Sequence, residues 1–86
     1  MPYIEQISRK AVDAVINSTL KFIDGTTHPG VLNYIITRII HKAMGDKCNY
    51  RRYNELMGVL TCVSQEFYDR KVRPYEDEKI KENGDL

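Results

Sequence analysis

An unbroken apolar stripe runs through residues 31–44. Val31, Leu32, Ile35, Ile36, Ile39, Ile40, Ala43 and Met44 recur at i, i+1, i+4, i+5. That spacing places all eight on one side of an α-helix, whereas a strand would scatter them over both faces. Such a stripe has to be covered by something apolar, and here that means other helices. Pro29 suits the first helical turn, where its missing N–H costs nothing, and Gly45 ends the pattern. The spacing predicts a helix over about 29–44.

Two further segments carry the same periodicity. Ile4, Ile7, Ala11, Ala14, Val15, Leu20, Phe22 and Ile23 predict a helix over about 5–23. Asp24-Gly25 reads as its stop, because glycine accepts the left-handed conformation at a helix end. Tyr53, Leu56, Met57, Leu60, Val63 and Phe67 predict a third helix over about 50–73, closed by Pro74, since the residue before a proline disfavours helix. Residues 74–86 set five carboxylates against two lysines and read as a short acidic tail. It carries one or two helical turns around 76–82 or stays mobile. No segment alternates with period two, so no sheet is expected. The expected architecture is all-α: a single domain over 1–86, a three-helix unit in which helices 2 and 3 form an antiparallel hairpin.

Size and charge narrow the function. At 86 residues the chain buries only roughly 60–65% of the surface it exposes unfolded. One copy is too small to enclose a deep pocket, and the eight-residue stripe exceeds what a small hairpin needs, so a homo-oligomer is expected. Gly58 and Cys62, both small and four apart on helix 3, admit a close neighbour. Packing within the chain is the first expectation for them, a subunit boundary the second and room for a ligand the third. A net charge of +1 gives no general attraction to DNA or to an anionic membrane. No DNA-reading motif is present, so no long nucleic acid is expected as partner. The longest apolar run, Tyr34-Ile35-Ile36, is far short of a membrane span. Met1-Pro2-Tyr3-Ile4-Glu5 has no secretory pattern. Cys48 and Cys62 then read as reduced thiols of a cytoplasmic protein, and a disulfide between them would need an oxidising compartment.

Enzymatic constellations are weak. The five glycines stand apart at 25, 30, 45, 58 and 84, so no phosphate loop forms. His28 and His41 lie on different elements and make no recognisable metal pair. Glu55 and Glu66, eleven apart on one helix face, resemble a magnesium pair of the kind used by helical nucleotide pyrophosphohydrolases, but closer carboxylates are missing. A cysteine nucleophile with a histidine base remains a minor alternative. No catalytic residue, metal site or cofactor is assigned.

The arginines and tyrosines are more telling. Between residues 38 and 52, Arg38, Lys42, Lys47, Arg51 and Arg52 oppose only Asp46, with His41 among them. Arg70, Lys71 and Arg73 form a second basic cluster. Arginine forks bind phosphate and tyrosine rings stack on bases. This chemistry assigns Arg38, His41, Arg51, Tyr53, Arg70 and Arg73 as phosphate and base contacts, with Tyr34, Asn54 and Tyr75 in support. The same residues suit a protein-binding hot spot, or a solvated surface whose tyrosines edge the core.

The runs Leu32-Asn33-Tyr34-Ile35-Ile36-Thr37, Tyr53-Asn54-Glu55-Leu56-Met57-Gly58-Val59-Leu60-Thr61-Cys62, Glu66-Phe67-Tyr68-Asp69-Arg70 and Pro74-Tyr75-Glu76-Asp77-Glu78-Lys79-Ile80-Lys81-Glu82-Asn83-Gly84-Asp85 are together distinctive. They resemble a family of small proteins of unknown function from bacteriophages, prophages and bacteria, and the opening Met1-Pro2-Tyr3-Ile4 agrees. The resemblance implies a bacterial host cytoplasm and, by analogy with other small phage proteins, a role against host defence. One such role is an oligomeric sponge for a phosphorylated, cyclic nucleotide signal. Others are a protein-binding inhibitor or adaptor of a defence complex, and a phage structural or assembly protein.

Overall fold

A computed structural model of the protein describes residues 4–85. Met1, Pro2 and Tyr3 of the opening segment and Leu86 of the expected tail lie outside the described residues. All regular structure among the described residues is helical: α1 over Gln6–Phe22, α2 over Pro29–Met44, α3 over Tyr50–Phe67, a π-turn over Tyr68–Val72 and α4 over Arg73–Asn83. The all-α expectation therefore holds. The described residues fall into two units, one ending at Ile36 and the other starting at Thr37, with the division inside the unbroken helix α2.

The first unit holds α1, the loop after it and the first half of α2. Its loop corrects one expectation. Gly25 does not take up the left-handed conformation; α1 stops instead at Ile23, which is extended and whose N–H donates to the Leu20 carbonyl at 3.2 Å. Asp24 then organises the turn. Its carboxylate accepts from the Thr26 N–H at 2.8 Å and the Thr26 hydroxyl at 2.6 Å, while its own N–H donates to Thr27 Oγ1 at 2.9 Å. This Asx arrangement supplies the reversal that the glycine was expected to supply. His28 opens α2, its Nδ1 accepting from the Gly30 N–H at 2.9 Å. Pro29 follows as the first helical residue.

The second unit holds the rest of α2, the corner 45–49, α3, the π-turn and α4. Gly45 is left-handed, with φ of 71°, and takes the chain out of α2. Asn49 caps α3, its side-chain oxygen accepting from the Arg52 N–H at 2.9 Å.

Pro74 does not close the helix, which corrects both the expected end of helix 3 and the expected tail. A proline cannot donate to the carbonyl four residues back, and its ring crowds that carbonyl, here that of Arg70. The chain absorbs the misfit by widening the preceding turn. The Arg73 N–H reaches back five residues to the Tyr68 carbonyl. Pro74 then falls in the first turn of α4, where no N–H is required, and helix continues to Asn83.

Burial is sparse. Leu56, 7% exposed, is the one buried side chain among the described residues. Nothing on α1 is buried, and Ile7 and Val15 are each 80% exposed. On α3, Val59, Val63 and Phe67 are exposed in turn. A Cβ added at Gly58 would meet nothing within 4 Å. Cys48 and Cys62 are both free thiols.

Candidate ligand-binding surface

The corner between α2 and α3 sets the first group of candidate residues. The last turn of a helix leaves carbonyls without partners. Arg52 Nε donates to one of them, the Ala43 carbonyl oxygen, at 3.1 Å. Its guanidinium also meets Glu55 at 3.5 Å, and Arg51 Nε lies 4.0 Å from the other oxygen of the same carboxylate. Tyr53 and Asn54 follow on the same helix, both exposed.

On the last turns of α2, Arg38, His41 and Lys42 recur at i, i+3, i+4 and so share a face. With Ile39 they border an open depression of about 530 Å³. The positive Lys42 side chain at this end also offsets the negative pole of the helix dipole. Tyr34 belongs to the first unit, where it is exposed.

The second group surrounds the π-turn. Arg70 Nε pairs with Glu66 at 3.1 Å and Arg73 with Asp69 at 3.6 Å. The Arg73 guanidinium carbon stands 5.6 Å from the centre of the Tyr68 ring. The Tyr68 hydroxyl donates to Glu76 at 2.8 Å, and Tyr75 lies 5.6 Å under the Lys79 ammonium. The hydrogen bond to Glu76, seconded by its negative charge, raises the Tyr68 phenol above its ordinary value. Leu60, Thr61, Ser64, Gln65, Tyr68, Asp69 and Arg73 line a second open depression, of about 560 Å³.

The nine candidates thus do not meet in one place. Arg51, Tyr53 and Asn54 stand at the start of α3, and Arg70, Arg73 and Tyr75 at its far end. Twenty residues separate Tyr53 from Arg73, roughly 30 Å along a helical rise of 1.5 Å per residue. No small ligand spans that distance. Most of these cations are also engaged by carboxylates three or four residues away. Exposed pairs of that kind are worth little and exchange readily for a better anion. The sequence reading missed two organising residues. Arg52 stood in the first basic cluster but outside the candidate set, with an N-cap asparagine three residues before it as its signal, and Tyr68 was a ring on a polar face whose partners, Arg73 and Glu76, only the π-turn brings to it. Among the described residues, no three His, Cys, Asp or Glu side chains gather where they could hold a metal ion. No helix there is long and apolar enough to cross a membrane.

The chain matches, over residues 1–86, the model of a family described as Domain of unknown function (DUF6899). No curated protein and no solved structure matches the chain.

Proposed function

The chain belongs to the DUF6899 family, and we propose for it a non-enzymatic binding role exercised by an assembly of copies. The observation that carries this reading is the contrast, among the described residues, between one buried side chain, Leu56, and apolar residues exposed on α1, α2 and α3 alike. Burial of apolar surface is the main force that holds a domain together. α1 makes the point sharply. It has 17 residues, five of them β-branched, and none is buried. In proteins most helical stability comes from packing an amphipathic face rather than from propensity. Covering these faces with further copies supplies the missing burial. In the assembled form α2 and α3 are the arms of an antiparallel hairpin, continued from the corner where Arg52 ties them.

The proposed ligand is a small phosphorylated, base-containing molecule, such as a cyclic nucleotide signal, sequestered unchanged to counter a host defence. Arg38 and His41 on one depression, and the arginine–tyrosine groups at either end of α3, support this reading. They supply charge for phosphate and rings for bases. Thermal melting against cyclic di- and trinucleotides tests it. A ligand at 100 times its Kd adds about 2.7 kcal/mol of stability. Intact nucleotide recovered after heating excludes hydrolysis, and the absence of any shift overturns the ligand.

A protein-binding inhibitor or adaptor is the second reading. Exposed Tyr34, Tyr53 and Tyr75 with neighbouring arginines favour it, since these two residue types dominate interface hot spots. One host protein retained on the immobilised chain, with no nucleotide effect, would select it.

A further inference from the structure

Asparagines stand at 17, 33, 49, 54 and 83, and of these Asn83 alone is followed by glycine. An asparagine side-chain amide can be attacked by the backbone nitrogen of the next residue, closing a succinimide ring. A side chain on that next residue hinders the closure. Ser18, Tyr34, Tyr50 and Glu55 supply one after the other four asparagines, and Gly84 supplies none. Asn83 is also the last residue of α4. The junction is latched by the Gly84 N–H, which donates to the Ile80 carbonyl oxygen at 2.8 Å. Among the described residues α4 buries no side chain, so little packing opposes fraying of its last turn.

We propose that Asn83–Gly84 is a site of spontaneous deamidation, gated by fraying of the last turn of α4. In the closed turn the Gly84 nitrogen is engaged and Asn83 is helical, so the ring cannot close. Once the turn opens, that nitrogen gives its proton to water and attacks Asn83 Cγ. A bond forms between the Gly84 nitrogen and Cγ, the Cγ–Nδ2 bond breaks, and Nδ2 leaves with a proton as ammonia. Water then opens the succinimide. Opening at Cγ leaves aspartate, and opening at the Asn83 main-chain carbonyl leaves isoaspartate. Nothing is oxidised or reduced, and water is the only co-reactant. Both products put a carboxylate at the negative pole of α4, where it is unfavourable. Isoaspartate also adds a carbon to the main chain, so the Gly84–Ile80 latch does not re-form in register. Asp24–Gly25 is the other pair of this shape in the chain. It is protected, because the Thr26 N–H and hydroxyl hold the Asp24 carboxylate as an anion in a fixed turn, and an anion resists attack.

Ageing the full chain in mildly alkaline buffer, with peptide-mapping mass spectrometry over time, tests this. A peptide of residues 79–86 is the reference for the open state. Asn83 should convert to a mixture of aspartate and isoaspartate before any other asparagine and before isoaspartate forms at Asp24. Its rate should lie within about tenfold of the peptide's, because fraying of a helix end costs little free energy. Asn83→Gln, whose longer side chain closes a ring far more slowly, should lose the product while the far-ultraviolet spectrum is kept. Conversion slower than the peptide's by more than about tenfold overturns the proposal, since the last turn then stays closed. Earlier conversion at another asparagine or at Asp24 overturns it too, as does product that persists in Asn83→Gln.

Discussion

Arg52 holds the end of one helix against the start of the next: its Nε donates to the Ala43 carbonyl oxygen at 3.1 Å, while its own N–H is held by the Asn49 side chain at 2.9 Å. One residue thereby serves both ends of the corner. Asn49→Ala should cost about 1 kcal/mol, the usual worth of an N-cap. Arg52→Ala should cost about 0.5–1 kcal/mol for one exposed hydrogen bond. Because both act on the same turn, their losses should not add. A double-mutant cycle by urea denaturation checks this, and full additivity would separate the two contacts.

Gly58 sits inside the continuous helix α3, where an added Cβ would meet nothing within 4 Å. Gly58→Ala should raise the stability of the isolated chain by about 0.5–1 kcal/mol, since glycine in a helix interior costs roughly that much. Thermal melting at low micromolar concentration is the measurement. A loss in place of a gain would mean that a neighbour sits against this position.

The bond from the Tyr68 hydroxyl to Glu76 favours the protonated phenol. Its folded value lies above the ordinary 10.0, so the stabilisation is complete below pH about 10 and is lost as pH rises through the folded value. In an absorbance titration Tyr68 should ionise later than an unperturbed tyrosine, and Tyr68→Phe should remove that late phase. Amide exchange in α4 should quicken in the same pH range in the wild type and not in the variant.

Asp24 behaves in the opposite sense. The Thr26 hydroxyl first, then the Thr26 N–H, holds its carboxyl below the ordinary 3.8. The contribution is present above pH 3.8 and disappears as pH falls through the lowered folded value. Carboxyl-carbon NMR should show the low value, and Thr26→Val should return it towards 3.8.

For the proposed ligand, Arg38→Ala and Arg70→Ala probe the two separate candidate groups, and one of them should abolish any thermal shift produced by nucleotide without altering the far-ultraviolet spectrum. Unchanged affinity in both would move the site to other residues.

The sequence made the helices legible because their apolar spacing is regular. Pro29 and Gly45 bound α2 as expected, and Tyr50 opens α3. Pro74 misled because the rule against helix before proline describes an ordinary turn, and the widened turn over Tyr68–Val72 escapes it. Gly25 misled because a carboxylate with two threonines can make the same reversal without a left-handed residue. The candidate cations were visible as charge clusters. Their two clusters, at 38–52 and 70–73, were visible too, but not the Glu55, Glu66 and Asp69 carboxylates that engage them along α3.

The widened turn has a consequence for anything that lies along α3. Passing from 3.6 towards 4.4 residues in one turn slips the angular phase of all that follows, so the apolar stripe ending at Phe67 is not resumed by α4. A partner helix running straight on leaves grease behind and meets carboxylates. The π-turn therefore acts as a ruler. It ends the greasy strip, Tyr53 to Phe67, after roughly 21 Å, and a partner helix proposed to lie along it would have to match that length.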